Sequence, residues 1–356
     1  MMTERRVVFA AAVLAAAASL CAQTIPVRGI HLSVPKPDEI PLAERFIREA
    51  LPKEGVNLLV LEFDYRYQFS RRPEVADQDA LSRDDVKKLV EACRQGGIRL
   101  IPQINMLGHQ SWAKVTMGLL QAHPEFDETP GLYPDNKGIY CRSYCPLHPQ
   151  VHEVVFDLID EIAGACEADA FHAGMDEVFL IGEDVCPRCR GLNKADLFAQ
   201  EVRALRDHLA KSNRTLWMWG DRFLDGNTTG IGQWEASAND TQAALRQVPK
   251  DIVICDWHYE AAHPTASYFA LEGFQVVASP WRRSSVALRQ LDQIRSARMN
   301  TSPVVAGRML GVLQTTWTGF GNFAKAYFSE GVADPRGQEA VYCFRELFRE
   351  MRKGQP

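Results

Sequence analysis

Eight short apolar runs, each followed by a stretch of helical periodicity, organise this chain from Val27 onward. They fall at residues 27–32, 56–63, 98–104, 168–173, 215–219, 251–257, 274–278 and 309–315. Several are apolar almost throughout, the pattern of strands buried on both faces of a parallel sheet. The stretches between them are punctuated as helices. Ser82 with Asp85 makes a capping-box start, Val86, Leu89, Val90 and Cys93 share one face, and Gly96-Gly97 is the stop. Val151, Val155, Leu158, Ile159 and Ile162 form a second stripe, and Phe198, Val202, Leu205 and Leu209 a third. Strand and helix repeated in this way predict an α/β chain folded as a (β/α)8 TIM barrel. A doubly wound open sheet would alternate similarly, but no glycine-rich phosphate turn follows the first run. No Pro/Gly/Ser-rich linker interrupts the chain, so the reading is one domain over 25–330. Residues 331–356 are a C-terminal helical extension outside the barrel.

With 46% hydrophobic residues, 24% charged residues and net charge −5, whole-chain disorder, collagen-like repeats and coiled coils are excluded. The negative balance also argues against a nucleic-acid partner. Residues 1–22 read as a signal peptide. Arg5 and Arg6 precede an Ala-rich apolar run at 7–20, shorter than a bilayer-spanning helix requires. The expectation is an exported protein, periplasmic or extracellular, without stable membrane insertion. A lipid anchor at Cys21 is disfavoured by the bulk of Leu20. Cys93, Cys166, Cys255 and Cys343 lie in apolar segments and read as buried thiols. Cys141, Cys145, Cys186 and Cys189 lie in polar loops, where disulfides and a structural zinc site are both natural.

In such barrels the chemistry sits just past the carboxyl ends of the strands. Those positions hold Asp64, Asn105, His109, Asp176, Glu177, Trp219, Asp221, Asp256, Trp257, Trp281 and Trp317, with Arg28 and His31 on the first strand. One rim tryptophan is ordinarily a hydrophobic plug. Four around one mouth suit a sugar, whose C–H face stacks on indole while carboxylates take its hydroxyls. Successive strand residues point to opposite faces, so Asp176 and Glu177 both reach the mouth only if the chain leaves the strand before them. Gly174 offers that exit.

The run His172-Ala173-Gly174-Met175-Asp176-Glu177 resembles the H-x-G-G-D-E signature of glycoside hydrolase family 20, the β-N-acetylhexosaminidases. Further segments resemble the family in the same order: Arg28-Gly29, Ile101-Pro102-Gln103-Ile104 with Gly108-His109, Trp217-Met218-Trp219-Gly220-Asp221, Ser279-Pro280-Trp281, and the stretch from Gly311 to Trp317. The resemblance implies a glycosidase removing terminal β-linked N-acetylhexosamine from an oligosaccharide or glycoconjugate, with no cofactor. It implies Glu177 as general acid and then base, and Asp176 as the group that holds the substrate's acetamido N–H. Arg28 would bind sugar hydroxyls. His109 and His172 would position carboxylates or lie satisfied in the core. Trp219, Trp257, Trp281 and Trp317 would form the sugar pocket, with Tyr259 at the acetamido oxygen. Three positions differ from the family pattern: Met175 replaces the second glycine, Ser33 stands where an aspartate is common, and Thr318-Gly319-Phe320 follows Trp317 without an acidic residue.

Two other readings compete. A carbohydrate-binding barrel without turnover shares every feature except the chemistry. A metal-dependent amidohydrolase needs a His-x-His pair on the first strand, and His31 has no such partner.

Overall fold

The computed structural model describes residues 24–330 and 334–353. The signal-peptide reading at 1–22 therefore lies outside the described residues. All eight expected strands form, as Val27–Ser33, Leu58–Glu62, Arg99–Met106, Ala170–Gly174, Thr215–Trp219, Val253–Trp257, Gln275–Ser279 and Met309–Thr315. They close in sequence order into one barrel. Every neighbouring pair is parallel, and the first strand meets the eighth with Val27 opposite Gly311.

Strand periodicity divides the side chains into two cores. Leu58, Val60, Ile101, Ala170, Trp217, Trp219, Val253, Cys255, Trp257, Val277 and Leu313 fill the barrel interior. Their alternates, such as Leu59, Leu61, Leu216, Met218 and Ile254, join the larger core between sheet and helices. The helix at Arg83–Gln95 starts as its sequence requires, with the Ser82 hydroxyl accepting from the Asp85 N–H. Helices Val151–Ala165 and Lys194–Ala210 bury the expected stripes. The C-terminal helix, Pro335–Lys353, lies outside the barrel against helices Ser284–Asn300 and Phe320–Phe328. It buries Phe344, Leu347 and Phe348, each side chain contributing roughly 1.5–3 kcal/mol of apolar burial. Among the described residues no helix is long and apolar enough to cross a membrane.

The register between third and fourth strands shifts between Gln103 and Met106, which pair with His172 and Gly174. This irregularity lies where the longest loop, 107–150, leaves the barrel beside the loop at 175–193, and it aims the residues of the mouth.

Candidate active site at the barrel mouth

The fourth strand ends at Gly174, and Gly174, Met175 and Glu177 all take left-handed backbone angles, with φ of 64°, 66° and 50°. A Cβ at Gly174 would overlap Asn105 Oδ1, so glycine alone fits the exit. The irregular turn resolves the alternation problem. Both carboxylates reach one imidazole, His109 Nε2 lying 3.4 Å from Asp176 Oδ2 and 3.3 Å from Glu177 Oε2. The Glu177 N–H donates to Asp221 Oδ2 at 2.9 Å.

Burial lifts the Glu177 carboxyl above its ordinary range; His109 pulls it down, while Asp176 and Asp221 push it up. Burial alone would lower His109, but Asp176 and Glu177 outweigh it and hold the imidazole well above its ordinary value. The Tyr140 phenol is pushed up by burial and by Glu177, which it faces. The surroundings of Glu177 are thus His109, Tyr140 and Cys141, whose thiol donates to the Glu177 carbonyl at 3.5 Å. The expected tryptophans are not its immediate partners.

A second acidic group lies two strands away, across the third strand. Glu62 Oε1 accepts from Gln103 Nε2 at 3.3 Å and Asn105 Nδ2 at 3.0 Å, and Glu62 Oε2 accepts from Ser33 Oγ at 3.4 Å. Ser33 and Glu62 are paired in register, so a carboxylate of the neighbouring strand lies beside residue 33. Asp64 Oδ1 accepts the Asn105 N–H at 2.9 Å. Burial, then the charge of Glu62, raises the Asp64 carboxyl to about 7.

The aromatic wall forms, and two residues besides the tryptophans complete it. His31, held by burial at about 4 and hence neutral, lies with its ring 5.4 Å from Trp219 and 5.0 Å from Trp317. The Tyr259 ring lies 4.9 Å from Trp257 and 5.4 Å from Trp281. Its oxygen accepts from Trp317 Nε1 at 2.9 Å and lies 3.3 Å from Thr315 Oγ1, which is itself 3.1 Å from the Pro280 carbonyl. Glu235 orients Tyr259 by accepting its N–H at 3.0 Å and also meets His258 Nδ1 at 2.8 Å. Asp256 is taken up in the same network through Thr265 and His258. His172 is wholly buried; its Nδ1 accepts the Gly174 N–H at 3.1 Å and its ring lies 4.5 Å from Trp219. It shapes the strand exit and the floor under Trp219. Asp176 Oδ1, Trp219 Nε1 and Trp281 Nε1 are buried without a hydrogen-bond partner among the described residues.

Two expectations are corrected. Arg28 stands at the amino end of its strand, where Nε donates to the Gly55 carbonyl at 2.7 Å and Nη1 to the Ile25 carbonyl at 2.8 Å. It shares the outward parity of Ile30 and Leu32, so it points away from the interior that His31 enters. Cys141 does not join the other loop cysteines; Glu128 takes that place beside Cys145, Cys186 and Cys189. Sequence reasoning also missed Glu62, Tyr140, Phe179, Trp112, Trp234 and Glu235. Tyr140 lies 5.2 Å from Trp112, 5.8 Å from Phe179 and 5.0 Å from Trp234, ring to ring. This cluster continues the mouth outward, with Trp112 51% and Trp234 47% exposed. Its only sequence signal was the presence of aromatics in long polar loops.

Two clusters at the mouth have metal-ligand atoms within 4.8 Å of one another: His109 with Asp176 and Glu177, and Glu235 with His258 and His263. In both, an imidazole already lies against a carboxylate. The arrangement can hold one carboxyl protonated beside another and present both to a ligand walled by aromatic rings.

A model described as "Glycosyl hydrolase family 20, catalytic domain" matches residues 61–330. A protein named β-hexosaminidase 1 from Coccidioides posadasii is 23% identical over 231 residues, which covers 57% of this chain and 34% of the relative. A lacto-N-biosidase from Bifidobacterium bifidum is 23% identical over 261 residues, covering 68% of this chain and 20% of the relative. The chain thus spans about a third of the length of the first relative and a fifth of the second. The crystal structure of a Flavobacterium johnsoniae chitobiase superposes with a TM-score of 0.63 at 17% identity, covering 91% of this chain and 52% of that one. A Vibrio harveyi exo-β-N-acetylglucosaminidase solved with N-acetylglucosamine gives 0.58 at 15% identity, covering 93% and 57%.

Proposed function

This chain belongs to glycosyl hydrolase family 20, and from that premise we propose that it removes terminal β-linked N-acetylhexosamine by substrate-assisted, retaining catalysis. The observation that carries the proposal is the convergence of Asp176 and Glu177 on His109 at the carboxyl end of the barrel. The substrate's acetamido oxygen bonds to the anomeric carbon as the glycosidic C–O bond breaks, and the leaving oxygen takes the Glu177 proton. Asp176 accepts the acetamido N–H and offsets the positive charge of the oxazolinium-like intermediate. Water then gives a proton to Glu177 and attacks the same carbon, restoring the acetamido group with net retention. Tyr259, its oxygen held by Trp317 Nε1, turns its phenolic proton to the acetamido oxygen when substrate binds. The raised carboxyl of Glu177 supports the acid role, because an acid must still hold its proton when the substrate arrives.

The test is release of 4-nitrophenol from its N-acetyl-β-glucosaminide and N-acetyl-β-galactosaminide. Glu177→Gln is expected to lower kcat by about 10²–10⁴. Wild-type turnover no greater than that of Glu177→Gln would overturn the proposal, and sugar binding without turnover would select the non-catalytic barrel. Export is part of the same proposal and rests on the leader-like residues 1–22. Recovery of the expressed chain entirely inside the cell, with those residues still attached, would remove it.

A further inference from the structure

Away from the two carboxylates, three cysteines and one glutamate meet at a single buried point. Cys145 Sγ lies 3.4 Å from Cys189 Sγ and 3.5 Å from Cys186 Sγ, and the Glu128 carboxylate completes a set whose ligand atoms are all within 4.8 Å of one another. All four residues are fully buried. Glu128 Oε1 accepts the Glu183 N–H at 3.1 Å, and the Gly182 N–H and the Cys186 and Cys189 thiols also face the carboxylate, but no Lys, Arg or His pairs with it among the described residues. A buried carboxylate left in this way costs several kcal/mol (about 3–5 when a pair is broken) unless a cation compensates it.

The backbone is arranged for thiolates. Cys186-Pro187-Arg188-Cys189 folds so that the Cys189 N–H points at Cys186 Sγ at 3.4 Å, with the Arg188 N–H aimed at the same sulfur. The Leu147 N–H is aimed at Cys145. A disulfide would consume two sulfurs and leave the third thiol and the carboxylate stranded together. Tetrahedral zinc uses all four, and a Zn–S bond of about 2.3 Å sets sulfurs about 3.8 Å apart, a few tenths of an ångström beyond the observed spacing.

We propose that Glu128, Cys145, Cys186 and Cys189 form a structural zinc site of three thiolates and one carboxylate. Binding releases three thiol protons to solvent and leaves the site with net charge −2, softened by the N–H groups aimed at the sulfurs. The ion joins the loop after the third strand, which carries His109, Tyr140 and Cys141, to the loop after the fourth, which carries Asp176 and Glu177. It therefore fixes the two halves of the His109–carboxylate cluster relative to one another. This holds whether or not the chain turns over a glycan.

Elemental analysis of the full chain, purified without a polyhistidine tag, is expected to find about one zinc ion per chain. Cys189→Ser is expected to lose it, and Cys343→Ala to keep it, because Cys343 is buried elsewhere in the C-terminal helix. Cobalt substitution is expected to give thiolate-to-metal charge-transfer bands with tetrahedral ligand-field absorption. Glu128→Gln should weaken zinc at least about tenfold in competition with a chromophoric chelator. A chelator should lower the Tm of wild type and leave Cys189→Ser unmoved. Folded wild-type chain without zinc, or an alkylation map of the unreduced chain placing Cys145, Cys186 or Cys189 in a disulfide, overturns the assignment. Both of those measurements use wild type, so a variant that fails to fold does not decide the question.

Discussion

Asp221 accepts the backbone N–H of Glu177 at 2.9 Å, and that hydrogen bond holds Glu177 in its left-handed turn. The same carboxylate accepts from Arg222 Nε at 2.7 Å and Trp257 Nε1 at 3.2 Å, while Arg222 in turn donates to the carbonyls of Gln233 and Ala236. One buried pair thus connects Glu177, the aromatic wall and the loop bearing Trp234 and Glu235. Asp221→Ala strands the buried Arg222 charge and should cost about 3–5 kcal/mol in urea unfolding. It also frees the turn, so kcat in the folded fraction should fall about 10²-fold with KM changed much less. An unchanged kcat would refute the positioning role.

The barrel was legible because its signal is local. Period-two burial within each strand and capping at Ser82 are written in adjacent residues, and the apolar stripes at 198–209 follow the helical period. The two carboxylates were legible because they close a strand-end run resembling H-x-G-G-D-E, in which Gly174 offers the break in direction that brings both to the mouth. What escaped depends on loops folding back over the mouth. Tyr140 reaches Glu177 from a different loop, and Glu235 reaches Tyr259 across 24 residues of sequence. Arg28 is a different case. Strand parity alone puts it on the side opposite His31, outside the interior where the family resemblance would place it.

Arg28→Ala is accordingly expected to act on stability and not on substrate. The lost hydrogen bonds to Gly55 and Ile25 should together cost about 1–3 kcal/mol. KM for a chromogenic N-acetylglucosaminide should stay within about twofold, against the rise of two or more powers of ten that loss of a charged sugar ligand would bring. A large increase in KM with unchanged Tm would return Arg28 to the binding site.

Asp64 gives the stability a pH dependence of defined sign. Its carboxyl titrates at about 7 in the folded chain, against about 3.9 in an unfolded one. The proton is therefore bound more tightly by the folded state. That contribution is complete below about pH 4, declines as the unfolded chain ionises, and is lost as pH rises through about 7. Asp64→Asn keeps an oxygen to accept the Asn105 N–H and removes the titration. The variant and wild type should melt together near pH 4, and the variant should melt about 2–5 °C higher at pH 8. Parallel Tm profiles across that window would show that Asp64 ionises freely.

Met175 occupies the second glycine position of the H-x-G-G-D-E pattern with φ of 66°, and its side chain is only 1% exposed. Two opposing terms meet there. Restoring glycine relieves roughly 1–2 kcal/mol of left-handed strain, but it also deletes a buried side chain whose loss typically costs about 2–5 kcal/mol. Packing should win. Met175→Gly is expected to destabilise the chain by about 1–3 kcal/mol, and to lower kcat because Glu177 hangs from the same turn. Thermal unfolding and chromogenic kinetics measure both effects. A rise in Tm would mean that the strain at this residue exceeds what its side chain recovers by burial.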